Sequence, residues 1–296
     1  MNNTTIMRIF FYLFVFLFLP SEYVLAWGPL THIALSTEIL RTLAAISLPA
    51  AAEVILSRKS DFILGNVYAD IIFGKNLVEY RDHSHNWRNG LKIMGNASTA
   101  GQKAFAYGYL CHLASDCVAH NFFVPRFLVL SHKKRYMMHT YWEMRFDNIH
   151  HNATWGQAVT LSGNLRNSLS SMLNGSLVTP LFPFSTHKMI FNGIMFLQRL
   201  KRWRMAVEKN SRKNGFTIPQ SESDIYFNTS IKFILDFIKN PEGSTVFKYD
   251  PTGASAMEEA KNLRRSLKRK EIHSDRIYKI AQAYIPKWLA TPYHNT

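Results

Sequence analysis

Three polar residues at four-residue intervals, His112, Asp116 and His120, interrupt the stretch Y-L-C-H-L-A-S-D-C-V-A-H at residues 109–120. Each residue of an α-helix turns about 100°, so four steps return to within about 40° of the start. On one helix the three side chains form a slowly winding polar stripe. Phe105, Tyr109, Leu110, Leu113, Val118 and Phe122 surround it, so the stripe should face a packed interior. Imidazole and carboxylate groups are costly there unless they share partners, and together they are the donors that zinc accepts. By itself the triplet also fits a helical ion pair beside a hydrogen-bonded core histidine. The rest of the chain bears on that choice.

The spacing recurs at His139 and Glu143, which one helical turn can present to one ion. Residues 27–32 read W-G-P-L-T-H, behind a segment with the make-up of a secretory signal. Arg8 precedes the apolar run 9–19, and Val24-Leu25-Ala26 offers small residues to a signal peptidase. The run is shorter than the roughly 20 residues a spanning helix needs. Cleavage after Ala26 would expose Trp27 as a new terminus, whose α-amine and carbonyl oxygen could chelate a metal, with His32 five residues on. The protein is then expected to be secreted or periplasmic. An uncleaved anchor, with Trp27 an ordinary core aromatic, is the competing reading.

With N-V-Y-A-D at 66–70, H-S-H-N-W at 83–87 and H-T-Y-W-E at 139–143, these segments resemble the zinc-dependent phospholipase C family, itself structurally related to the fungal single-strand-specific nucleases. The motifs run in order from Trp27 to Glu143. The resemblance implies an all-α, multi-helix phospholipase C or nuclease-like fold around a trinuclear zinc cluster. It implies that Asp70, His85, His112 and Asp116 hold one zinc. Asp116 would bridge to a second, held by the Trp27 terminus and His32. His120, His139 and Glu143 would hold the third. Asp70 is the implied catalytic residue, orienting or deprotonating the attacking water. Two features depart from the pattern. The Asp116–His120 step is shorter than in the characterised bacterial phospholipases, and His83 offers an alternative to His85. Asp70, Asp116 and Glu143 bring three formal negative charges to three divalent ions, so the pocket should stay positive and attract a phosphodiester.

These residues need elements to carry them. The patterning predicts helices over 30–45, 50–58, 99–123 and 130–148, with Pro125 ending or kinking the third. An apolar segment, 61–74, presents Asp70, and a polar, aromatic loop, 78–90, carries the histidine pair. Beyond His151 the metal-type residues thin out, and helices are expected at 155–173, 187–209, 223–239, 252–270 and 274–290. The expected organisation is a signal peptide, 1–26, and a single all-helical zinc hydrolase domain, 27–296. Its metal-site half covers about 27–150 and its additional helices 151–296.

At 296 residues and 47% hydrophobic, the chain can bury a substantial core. Cys111 and Cys117 lie six residues apart, about 9 Å along one helix, too far for a disulfide without unwinding. There is no Gly-rich phosphate loop, no G-x-S-x-G elbow and no H-E-x-x-H pair. The net charge of +15 favours anionic partners, and the basic helices 187–209 and 252–270 could rest on an acidic membrane surface. The function expected is a secreted zinc-dependent phosphodiester hydrolase. A phospholipase C is favoured, cleaving phospholipid by metal-activated water. One alternative is a single-strand-type zinc nuclease on the same scaffold, taking nucleic acid. Another is a non-catalytic, zinc-stabilised membrane-binding protein.

Overall fold

The computed structural model describes residues 27–45, 50–133, 139–149, 165–199, 218–269, 274–282 and 284. The segment expected to be a signal, 1–26, lies outside them. The described residues contain helices and turns and no strand, so the all-α expectation holds. No single described helix is long and apolar enough to cross a membrane.

The chain opens with α1 (Pro29–Ala45), α2 (Ala50–Ser57) and α3 (Lys59–Tyr68). Pro29 suits the first position of α1, where its missing N–H costs nothing. A 3₁₀ turn, Ala69–Ile71, follows α3 directly and carries Asp70. Two more 3₁₀ turns, Lys75–Leu77 and Tyr80–Asp82, lead to α4 (Trp87–Gly95) and α5 (Ala100–Val118). The polar loop expected over 78–90 thus ends early. Asn86 Oδ1 accepts from the Arg88 N–H at 2.9 Å, an N-cap that starts α4 at Trp87.

Helix α5 is the axis of the molecule. It packs against α2, α3, α4 and α10 (Gln220–Lys239). Thr99 and Gln102 form a reciprocal capping box at its start. Every residue from Gly108 to Val118 is buried. The single helix expected over 99–123 is instead divided. After Val118 the backbone widens into a π turn, Ala119–Phe123, and α6 (Val124–Leu130) begins with Pro125 in its first turn. A proline there has no N–H to give to the preceding turn, so the wider turn accommodates it.

Two glycines set how closely α3 and α5 approach. A Cβ on Gly65 would lie 1.9 Å from the Phe105 carbonyl oxygen, and one on Gly108 would lie 2.0 Å from that of Phe62. Any side chain at either position would push the helices apart.

The helix expected over 130–148 is also interrupted. α6 ends at Leu130, α7 spans His139–Ile149, and 134–138 lie outside the described residues. Of the helix expected over 155–173, the structure describes α8 (Asn167–Ser176), which runs through Gly175 rather than stopping at Asn174. Then come α9 (Phe184–Arg199), α10, a 3₁₀ turn Thr245–Lys248, α11 (Ala254–Lys268) and α12 (Ser274–Gln282). Residues 200–217 and 285–290, expected to be partly helical, lie outside the described set. Cys111 and Cys117 are both free and buried.

Candidate metal centre

The Gly65–Gly108 crossing brings the last turn of α3 against His112. Carbonyls in the last turn of a helix lack intrahelical partners, and the Asn66 oxygen lies 2.7 Å from His112 Nδ1. The Nδ1 proton therefore goes to Asn66, which turns Nε2 toward the carboxylates and fixes the ring plane.

His85 reaches the same point from the loop before α4. That loop is pinned from both sides. Tyr109 Oη donates to the Ser84 carbonyl at 2.7 Å, and Asn89 Nδ2 donates to the His83 carbonyl at 3.0 Å. The His85 backbone N–H donates to His83 Nδ1 at 3.0 Å. One His83 nitrogen is thus spent on the loop, and His85 Nε2 is the one turned inward.

Four donors converge. His85 Nε2 lies 2.9 Å from His112 Nε2, 3.0 Å from Asp70 Oδ1 and 3.2 Å from Asp116 Oδ2. His112 Nε2 lies 3.1 Å from Asp116 Oδ2 and 3.9 Å from Asp70 Oδ2. Ligands about 2.0–2.1 Å from a tetrahedral zinc stand about 3.3–3.4 Å apart, so these spacings suit one shared ion. His32, from the first turn of α1, stacks on the His112 ring with centroids 3.9 Å apart, and its Nε2 is 3.6 Å from Asp116 Oδ1. Its Nδ1 faces Ser115 Oγ at 3.4 Å, a hydroxyl that already donates to the His112 carbonyl at 2.8 Å. Asp116 thus has one oxygen toward each group. His32 Nε2 and both Asp116 oxygens are buried without a well-aligned hydrogen bond inside the protein. Bare buried donors of zinc-binding type are what a metal would satisfy, and on this ground the residues fit the ion.

His120 occupies the π turn. Its Nδ1 donates to the Pro251 carbonyl at 2.6 Å, and its Nε2 points toward Glu143 Oε1 at 3.7 Å. Gly253, at φ 58°, makes this possible, because a Cβ there would lie 2.4 Å from the His120 carbonyl oxygen. The C-terminal half therefore supports the centre, through a contact that nothing in the local sequence announces. His139 opens α7 one turn before Glu143; its side chain lies outside the described set.

Trp27 is fully buried. Its indole stacks on Phe146 at 3.9 Å and donates from Nε1 to the Ser115 carbonyl at 3.2 Å. The side chain thus serves as a core aromatic anchored to α5 beside Asp116.

Two residues at the centre escaped the sequence reading. Lys75 is buried, with Nζ 2.9 Å from Asp70 Oδ1 and 3.1 Å from His85 Nε2. A lysine at the end of the apolar run I-I-F-G-K, five residues after Asp70, was the available signal. Asp147 extends the His139, Glu143 series by four more residues. Its Oδ1 accepts from the Thr31 N–H at 2.6 Å and the Thr31 hydroxyl at 3.0 Å, capping α1 from another helix. Its carboxylate also fills the space beside Gly28, where a Cβ would lie 2.4 Å from Cγ.

The electrostatics separate these groups. Burial alone would raise Asp70, but the Lys75 ammonium, followed by His112 and His85, overcomes it and holds the carboxyl well below its usual range. Burial likewise opposes Asp116, and His112 and His85 outweigh it. Burial, with His112 beside it, lowers His32 to about 3, so its ring is neutral and can act as a ligand. Glu143 is raised well above the carboxylate range by burial and by the negative charges of Asp70 and Asp116. That carboxylate ionises only with more positive charge nearby.

A family model described as zinc-dependent phospholipase C matches residues 31–180, just over half of the 296-residue chain. The chain belongs to the zinc-dependent phospholipase C family. Its members hydrolyse phosphodiesters with zinc as cofactor, and the His and Asp groups above are of the type that binds it. The matched segment includes every candidate ligand from His32 to Glu143 and leaves Trp27 outside. No curated protein and no solved structure matches the chain.

Proposed function

We propose that this phospholipase C-like hydrolase cleaves the phosphodiester of membrane phospholipids, outside the cytoplasm, after removal of residues 1–26. The observation that carries the proposal is the convergence of His85, His112, Asp70 and Asp116 around one point, with Asp116 shared toward His32. Asp70, His85, His112 and Asp116 would hold one zinc. Asp116, His32 and the Trp27 main chain would hold a second, and His120, His139 and Glu143 a third. Residues 27–296 would form the single domain that carries them. Zinc bound there supplies Lewis acidity toward phosphoryl oxygens and lowers the pKa of water toward about 7.

The protein's own groups do the rest. His112 and His120 are held in one tautomer by backbone carbonyls. Asp70, kept anionic by Lys75, is a weak base, so its part is to orient the attacking water. Water oxygen bonds to phosphorus as the bond to the glycerol oxygen breaks. The proton that water loses equals the one the leaving alcohol gains, giving diacylglycerol and a phosphorylated head group.

The surroundings favour lipid over nucleic acid. Leu77 and Leu181 are each 60% exposed, and both reach Gly74, the residue before Lys75. Leu181 holds a positive φ of 67°, a strained state for a leucine. Exposed leucines a few residues from Asp70 suit an acyl-chain interface. Lys261, Arg265, Lys268 and Arg269 are exposed on α11 and its cap, and supply positive charge toward anionic lipid. The net charge of +15, like the metal scaffold itself, would equally serve a nuclease.

The test uses the mature protein on phosphatidylcholine vesicles and on single-stranded DNA. The expected result is release of phosphocholine, abolished by chelation and by Asp116→Ala. Leu77→Asp with Leu181→Asp should slow hydrolysis of vesicles at least about tenfold and leave a soluble short-chain phosphodiester unaffected. Cleavage of DNA alone would establish the nuclease reading. Zinc and vesicle binding without any product would establish the non-catalytic one.

A further inference from the structure

Lys75 stands where a zinc ligand set and a lysine would not ordinarily be combined. It is a buried ammonium in direct contact with two candidate ligands of the same ion. Its Nζ lies 2.9 Å from Asp70 Oδ1, 3.1 Å from His85 Nε2 and 3.3 Å from His85 Nδ1. Nearly equal distances to both ring nitrogens put the ammonium beside the His85 ring, off the in-plane lone pair of either nitrogen. Its hydrogen-bond acceptor is Asp70. A carboxylate oxygen accepts more than once, so Asp70 can keep Lys75 and still serve as a ligand.

We infer that Lys75 is a positioning residue that holds Asp70 in place before zinc arrives and, standing beside the ion afterwards, lowers the zinc affinity of the centre. Resting on the zinc-site reading above, the inference has consequences of its own. Before loading, the ammonium is the cation that lets Asp70, only 2% exposed, stay charged inside the protein. After loading, it is a fixed positive charge beside a divalent ion, so it weakens the ion's hold. Lys75 thus trades zinc affinity for a metal-free centre that stays assembled.

The experiment measures zinc affinity by competition with a chromophoric chelator at pH 7, and the thermal midpoint of the metal-free protein, without reference to turnover. Lys75→Met should bind zinc about tenfold or more tightly than wild type, while its metal-free form melts several degrees lower. Lys75→Gln keeps an N–H donor for Asp70 but no charge; it should fold where the methionine variant does not, and should also bind zinc more tightly. An ordinary supporting role predicts the opposite sign, since losing a residue that holds a ligand weakens the site. Unchanged or weaker zinc affinity in both variants overturns the inference. Wild-type protein that takes up no zinc at all would instead overturn the proposed function beneath it.

Discussion

His112 and His187 are both fully buried histidines, and they are treated in opposite ways. His187 has both nitrogens committed. Its Nδ1 accepts from the Phe73 N–H at 3.1 Å and its Nε2 donates to the Pro180 carbonyl at 3.1 Å. His112 has one tether, to Asn66, and its other nitrogen faces two carboxylates and a second imidazole. The same contrast separates Asp147, whose oxygen takes two donors from Thr31, from Asp116, whose oxygens take none that is well aligned. Burial and residue type are alike within each pair. What differs is whether the fold supplies the last partner, and that difference marks the centre more sharply than any count of histidines.

The largest effect should come from the helix crossing that makes the His112 tether. Gly108→Ala forces a methyl against the Phe62 carbonyl, where backbone has to move. Overpacking of this kind costs about 1–3 kcal/mol, and lost support for a metal-ligating histidine typically costs about 10–100-fold in affinity. Calorimetry and zinc titration on one sample should show both losses. A variant that loses stability and keeps full zinc affinity would break the link between the crossing and the site.

Next comes the satisfied member of the pair. His187→Ala removes the acceptor of the buried Phe73 N–H, at a cost of about 1–3 kcal/mol, while the Pro180 carbonyl keeps the Phe182 N–H at 2.8 Å. Its zinc content should equal that of wild type. The two variants then dissociate in the comparison drawn above: similar destabilisation, metal affinity changed in one alone. Loss of zinc in His187→Ala would mean that the two histidines are not functionally distinct.

Sequence periodicity made part of this legible. His112, Asp116 and His120 were visible as one stripe because a regular helix has a fixed turn per residue, and α5 is regular as far as Val118. The resemblance to a family brought in Asp70 and His85, whose 3₁₀ turn and loop have no period to read. The π turn at Ala119–Phe123 was out of reach, since it depends on how the backbone accommodates Pro125 and on the packing of the Asp250–Gly253 turn. The Pro251 carbonyl reaches His120 across 131 residues of chain, and a carbonyl oxygen carries no sequence signature. Lys75 failed for another reason. A single lysine after an apolar run reads as a surface residue, because buried lysines are rare unless paired. Its partner, Asp70, was already assigned elsewhere.

The smallest effect concerns the carboxylate without a cation. Asp147 is pushed up from 3.8 to about 7, chiefly by burial, with the Thr31 N–H and hydroxyl and the Leu30 N–H opposing the rise. Its folded value thus exceeds its unfolded one, so the folded protein holds this proton more tightly. The stabilisation is complete below about pH 4 and is lost as pH rises through about 7. Asp147→Asn mimics the protonated acid, retains an oxygen for Thr31, and cannot ionise. Wild type and variant should therefore melt within about 1 °C of each other at pH 5, and the variant should melt higher at pH 8.5. The centre itself should show the reverse dependence in metal-free protein, because Asp70 and Asp116 lie below their usual values and favour folding once ionised. A variant that melted lower than wild type at pH 8.5 would mean that the Asp147 carboxylate is stabilised by the start of α1 as an anion. Burial would then have ceased to be the dominant influence on it, and the opposition between Asp147 and Asp116 would rest on hydrogen bonding alone.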